Sequence, residues 1–128
     1  RMRNAFGDDI KILCGVDTLA LEELVLGADG WVAGLVDAFP RETVVIYELI
    51  KQNRIDEARE IYRWFMPLLE LDIHPKLVQN IKLAEVATGI GTENVRPPRL
   101  PLIAEERQHV QKIINDALES RPSMPEIN

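Results

Sequence analysis

The chain has 128 residues, of which 46% are apolar and 28% charged, with a net charge of −6, the composition of one soluble globular domain rather than of a disordered chain. Lys and Arg are scattered, which excludes the basic patch of a nucleic-acid binder, and no apolar run approaches the roughly 20 residues needed to cross a bilayer. Arg1 to Asp9 do not read as a secretory leader, and the single cysteine, Cys14, cannot form an internal disulfide, so a reducing, cytoplasmic setting is expected.

In chain order, Ile10 to Cys14 is a short apolar run ending in Gly15, which predicts a buried strand opening into a turn. A helix should follow, capped by Thr18, with Leu19, Leu21, Leu24 and Val25 on its apolar face and Gly27 at its stop. Trp31 to Val36 is a second apolar run without polar alternation, as expected of a parallel strand covered on both faces. It leads into a helix with Pro40 in its first turn and Val44, Val45, Leu49 and Ile50 at helical spacing. These are two strand-helix units in succession.

After Asn53 only helices are predicted. Ile55, Ala58, Ile61, Tyr62, Phe65, Leu68 and Leu69 draw one apolar stripe, which Pro67 should kink or break. Pro75 opens a segment with Leu77, Val78, Ile81, Ala84 and Ala87 inward, closed by Gly89 and Gly91. The proline-rich stretch RPPRLPL, 96–102, should lie as an extended strap. A last helix from about Ala104 places Val110, Ile113, Ile114, Ala117 and Leu118 on one side, and Arg121 onward reads as a frayed tail.

Two parallel strands cannot close a sheet and leave most of their apolar surface uncovered, so a missing N-terminal portion is expected from topology alone. In parallel α/β folds the reactive end is where strands open into the following helices. Two segments qualify: Gly15, Asp17 and Thr18 after the first strand, and Val32, Ala33 and Gly34 late in the second. The same residues also suit a purely structural role, as a tight turn and a helix cap. His74 and His109 lack ligand spacing, and no metal or cofactor is expected. None of the five lysines, Lys11, Lys51, Lys76, Lys82 and Lys112, sits where a desolvated nucleophile belongs.

The stretch GVDTLALEELVLGADGWVAGLVDAFP, together with PLLELDIHPKLVQNIKLAEVATGIGTENVRPPRLPL, resembles the C-terminal half of the dihydrodipicolinate synthase and N-acetylneuraminate lyase family. The likeness runs from about Met2 to Leu118 and is carried by the G-x-D turn, the GADG-x-x-x-G segment and the RPP-x-x-PL strap. Within the family, GWVAGLVDAFPRET and IYRWFMPLLELDIHPKLVQNIKLAE are most similar to bacterial deaminases of pyrroline-4-hydroxy-2-carboxylate.

The resemblance implies the C-terminal part of an α/β (β/α)8 TIM barrel, with the last two units over residues 1–53 and C-terminal helices over 54–128. It further implies a homo-oligomer, tetramer or dimer, whose lysine on the sixth strand attacks a 2-keto acid or cyclic imino acid substrate and forms an imine that acts as an electron sink. That lysine would precede residue 1, leaving no catalytic residue in this chain. By the same resemblance Gly15, Asp17, Thr18, Val32, Ala33 and Gly34 would contact substrate. Gly34 stands where relatives often have serine, and Asp37 where many have asparagine. Other readings are a dihydrodipicolinate synthase, an aldolase or dehydratase of 2-keto-3-deoxy sugar acids, and a non-catalytic fragment whose helices after Asn53 bind a partner.

Overall fold

The computed structural model describes Arg1–Ile127; Asn128, the last residue of the expected tail, lies outside the described residues. Both apolar runs form strands, each shorter than its run. β1 is Leu13–Cys14 and β2 is Gly30–Trp31, paired in parallel with Leu13 opposite Gly30 and Cys14 opposite Trp31. Two further bonds extend the pairing, from the Asp29 amide to the Ile12 carbonyl at 2.7 Å and from the Val32 amide to the Cys14 carbonyl at 2.9 Å. The strand expected over Trp31–Val36 stops early. Gly34 is already helical (φ −83°, ψ −49°) and Leu35–Asp37 is a 3-10 turn, because the Leu35 amide is taken by the Asp17 carboxylate instead of a ladder neighbour.

Five residues of helix, α1 (Met2–Phe6), precede β1. Between the strands lie a 3-10 turn, Asp17–Leu19, and α2 (Ala20–Val25). Thr18 does not cap α2, since it falls inside that turn and the helix begins two residues later with no side-chain cap. The buried face of α2 is Ala20 and Leu24, whereas Leu19 and Val25 point outward. After β2, Pro40 starts α3 (Pro40–Lys51) at the position where a missing N–H costs nothing. Val45, Ile46 and Leu49 face inward, and Val44 turns to the open side.

The remainder is helical: α4 (Ile55–Leu69), α5 (Leu77–Thr88) and α6 (Ala104–Glu119). Pro67 does not break α4. It lies in the last turn, where the ring removes one backbone bond on the exposed side, and the fully buried Leu68 and Leu69 hold that turn in place. α4 is the central element. Its Phe65 meets Phe39 edge-on at 5.6 Å between ring centroids, its Trp64 stacks on Phe65, and the Trp64 indole donates to the Ala117 carbonyl of α6 at 3.0 Å. Burial of each such aliphatic or aromatic side chain contributes about 1.5–3 kcal/mol. α5 ends at Gly89, whose φ of 76° is the left-handed conformation that closes a helix. The strap then crosses the surface with Leu102 buried and its Leu100 carbonyl accepting from Gln79 at 3.1 Å.

The segment after α6 is not frayed through Ile127. Met124 and Ile127 pack on the core, the Glu126 carbonyl accepts from Arg54 at 2.9 Å, and Arg121 donates to Glu42 at 2.6 Å. A fully buried carboxylate on α3 needs a cation, and Arg121 supplies it from the tail.

Candidate functional site at the strand ends

The turns that leave β1 and β2 lie side by side because the strands are parallel neighbours, and Asp17 joins them. Asp17 is fully buried. One carboxylate oxygen accepts from the Trp31 indole at 2.9 Å and from the Gly34 amide at 3.3 Å, and the other accepts from the Leu35 amide at 2.9 Å. The Gly34 and Leu35 amides open a 3-10 turn and would otherwise be orphaned donors. The backbone carbonyl of Asp17 accepts from the Tyr62 hydroxyl at 2.6 Å, so α4 also holds the first turn. Burial pushes the Tyr62 phenol up to about 12, with the charges of Glu22 and Asp17 adding to the effect; it therefore remains a donor across the working pH range.

The other sequence-predicted residues divide into two groups. Gly15 and Val32 are exposed, while Thr18 and Ala33 are half-buried. The Thr18 hydroxyl makes no hydrogen bond among the described residues, which leaves it available at the turn. Asp17 and Gly34 instead face protein. A β-carbon on Gly34 would collide with the Asp72 carboxylate, so the space beside this glycine is occupied by Asp72 from the 3-10 turn Glu70–Ile73. Burial, and then the charges of Asp17 and Asp37, raise Asp72 above the usual carboxylate range.

Tyr62 and Asp72 were not among the site residues expected from sequence. Tyr62 reads as one member of an apolar stripe; its signal is the phenol itself, which needs a partner when buried. Asp72 carries no comparable mark. Each lysine is already engaged: Lys11 with Asp29, Lys76 with Glu106, Lys82 with Glu85 and Lys112 with Asp116, while Lys51 lies over the Tyr47 ring. Cys14, held by the Gly30 carbonyl at 3.2 Å, is raised to about 11, first by burial and then by Glu23.

Beside the strand-end turns, and sharing Val32 and Ala33 with them, the surface is apolar and open. Leu13 is 60% exposed and Val32 63%. With Trp31, Val36 and Val44 they line a concavity of about 380 Å³.

Two parallel strands opening into coupled turns, with an uncovered apolar face beside them and helices packed outside, are part of a parallel α/β arrangement consistent with a partial barrel. A model of the dihydrodipicolinate synthetase family matches residues 1–117, and the chain belongs to that family. It is 30% identical over 113 residues to a 4-hydroxy-tetrahydrodipicolinate synthase of Pelodictyon phaeoclathratiforme, covering 88% of this chain and 37% of that protein. A similar enzyme of Methanopyrus kandleri is 27% identical over 119 residues, covering 93% and 38%. Among solved structures, the 4-hydroxy-tetrahydrodipicolinate synthase of Methylacidiphilum fumariolicum SolV superposes with a TM-score of 0.74 at 27% identity, covering 91% of this chain and 40% of that one. Dihydrodipicolinate synthase of Aquifex aeolicus superposes with a TM-score of 0.80 at 21% identity, over 90% and 39%, a likeness of fold. The chain thus spans under two fifths of the length of these sequence relatives, 37% and 38%.

Proposed function

We propose that these residues form the last two strand-helix units and the C-terminal helices of a lysine Schiff-base lyase or deaminase built on a (β/α)8 barrel. The observation that carries this reading is the match to the dihydrodipicolinate synthetase family over residues 1–117, combined with an open apolar strand face where further strands would pack. The nucleophilic lysine lies outside these residues, in accord with the engagement of all five lysines present. It attacks the 2-keto carbon, or the equivalent carbon of a cyclic imino acid, and the protonated imine accepts electrons from the neighbouring bond. Gly15 and Thr18 contribute one side of the substrate wall and Val32 and Ala33 the other, with Asp17 and Gly34 behind them. The intact enzyme is a cytoplasmic homo-oligomer.

The specific reading is deamination of pyrroline-4-hydroxy-2-carboxylate, supported by the wording of GWVAGLVDAFPRET. The second reading is 4-hydroxy-tetrahydrodipicolinate synthesis, favoured by the names of the curated relatives. Borohydride reduction of the full-length protein with pyruvate or with pyrroline-4-hydroxy-2-carboxylate, followed by mass spectrometry, should give one adduct, on a lysine outside residues 1–128. An adduct on Lys76 or any other lysine numbered here would overturn the assignment of the nucleophile. Ammonia release from pyrroline-4-hydroxy-2-carboxylate marks the deaminase, and trapping of pyruvate without such release marks the synthase or aldolase branch.

A further inference from the structure

Asp17 has two oxygens and three N–H donors on them, and no exposed surface. Fully buried, that carboxylate meets a substrate hydroxyl only if the turn it serves rearranges. Its partners are all on the far side of the strand pair, 14, 17 and 18 residues away, so its effect is to set the distance between the two strand-end turns. Tyr62 enters from 45 residues further along the chain, on a helix that is not part of either strand-helix unit. At 2.6 Å its bond to the Asp17 carbonyl lies at the short end of the O–H···O range. The same carbonyl also accepts from the Ala20 amide that closes the 3-10 turn, so removal of the hydroxyl would release the turn from α4 while the carbonyl keeps its backbone partner.

We propose that Tyr62 is a positioning residue for the strand-end site. Through the Asp17 carbonyl it fixes the first turn, and through the Asp17 carboxylate that turn is joined to Trp31 and to the backbone at Gly34 and Leu35, so both turns present one rigid wall to the substrate. The assignment rests on the Schiff-base reading. It differs from a bare stability role in its kinetic consequence. The wall holds substrate but forms and breaks no bond, so loosening it removes binding shared by ground state and transition state, which raises KM and spares kcat.

Tyr47 provides a matched control, since its hydroxyl also donates to a backbone carbonyl, that of Asp29 at 3.0 Å, just before β2 at the other end of the strands. The full-length protein is tested with pyruvate plus an aldehyde acceptor and with pyrroline-4-hydroxy-2-carboxylate, and kinetics are followed on the one that the wild type traps and turns over. In Tyr62→Phe, KM rises about five- to tenfold, the equivalent of one net hydrogen bond, with kcat within about twofold of wild type. Tyr47→Phe leaves both unchanged. Should Tyr62→Phe fail to fold, Trp31→Phe removes only the indole arm of the same connection and carries the same expectation. A lowered melting temperature with unchanged KM in the folded variant makes Tyr62 merely structural and overturns the proposal while the Schiff-base reading stands. Absence of any borohydride adduct in the wild type overturns that reading and this assignment with it.

Discussion

At the residue scale, Asp72 has the most direct thermodynamic consequence. Its carboxyl is half-buried over Gly34 and faces two other carboxylates, Asp17 and Asp37, with burial the larger cause of its raised pKa. Folding therefore favours the protonated form. The stability that protonation confers is fully present below the unfolded value of about 3.9 and is lost as pH rises through the higher folded value. In the full-length protein, Asp72→Asn should melt above wild type at pH 7, and the gap should narrow toward pH 4. A pH-independent gap would mean that the carboxyl's charge is not the cause. Asp17 and Asp72 also mark what was legible in the sequence. The GVD turn stands out at once as a strand end, but the direction of the Asp17 side chain is set by donors 14 to 18 residues away that no local pattern reveals. Gly34 reads as room for substrate, yet the room is filled by a carboxylate 38 positions later in the chain.

At the scale of elements, the helices were the most legible part, because apolar spacing near 3.6 residues and terminal signals such as Pro40 and Gly89 act locally. The strands were recognisable as apolar runs but not in their length, which depends on whether a neighbouring ladder or a side chain captures the next amide; Leu35 is the instance. The tail was the least legible. Its attachment depends on Arg121 meeting Glu42, a contact spanning 79 residues. Glu42 is 0% exposed and one of its oxygens has no partner among the described residues, while Arg121 is 41% exposed. Arg121→Ala should cost about 3 kcal/mol in urea denaturation of the full-length protein, the lower end for breaking a buried pair because water reaches the guanidinium. Adding Glu42→Met should recover most of that loss, since an apolar side chain of similar volume needs no counter-ion. Failure of the second substitution to compensate would show that the tail is held by Met124 and Ile127 instead.

At the scale of the whole molecule, the described residues combine a well-filled helical core around α4 with a strand pair that is finished on one face only. Leu13, Val32 and Val44 are 60%, 63% and 49% exposed on the other. Contiguous apolar surface of that kind drives association. The 128-residue chain on its own should therefore sediment as a concentration-dependent oligomer, and Val32→Lys should shift it toward monomer without loss of helical circular dichroism. A monodisperse monomer of 14.6 kDa would refute this.

The Arg121 contact has a consequence in time as well as in space. Synthesis proceeds from the N-terminus at about 5–20 residues per second, so the 79 residues that separate Glu42 from its counter-ion take roughly 4–16 seconds to be added. Throughout that interval the Glu42 carboxylate has only water to stabilise its charge. Final closure of α3 against its neighbours is therefore disfavoured until Arg121 has been added, because burying Glu42 before then would leave its carboxylate without this counter-ion.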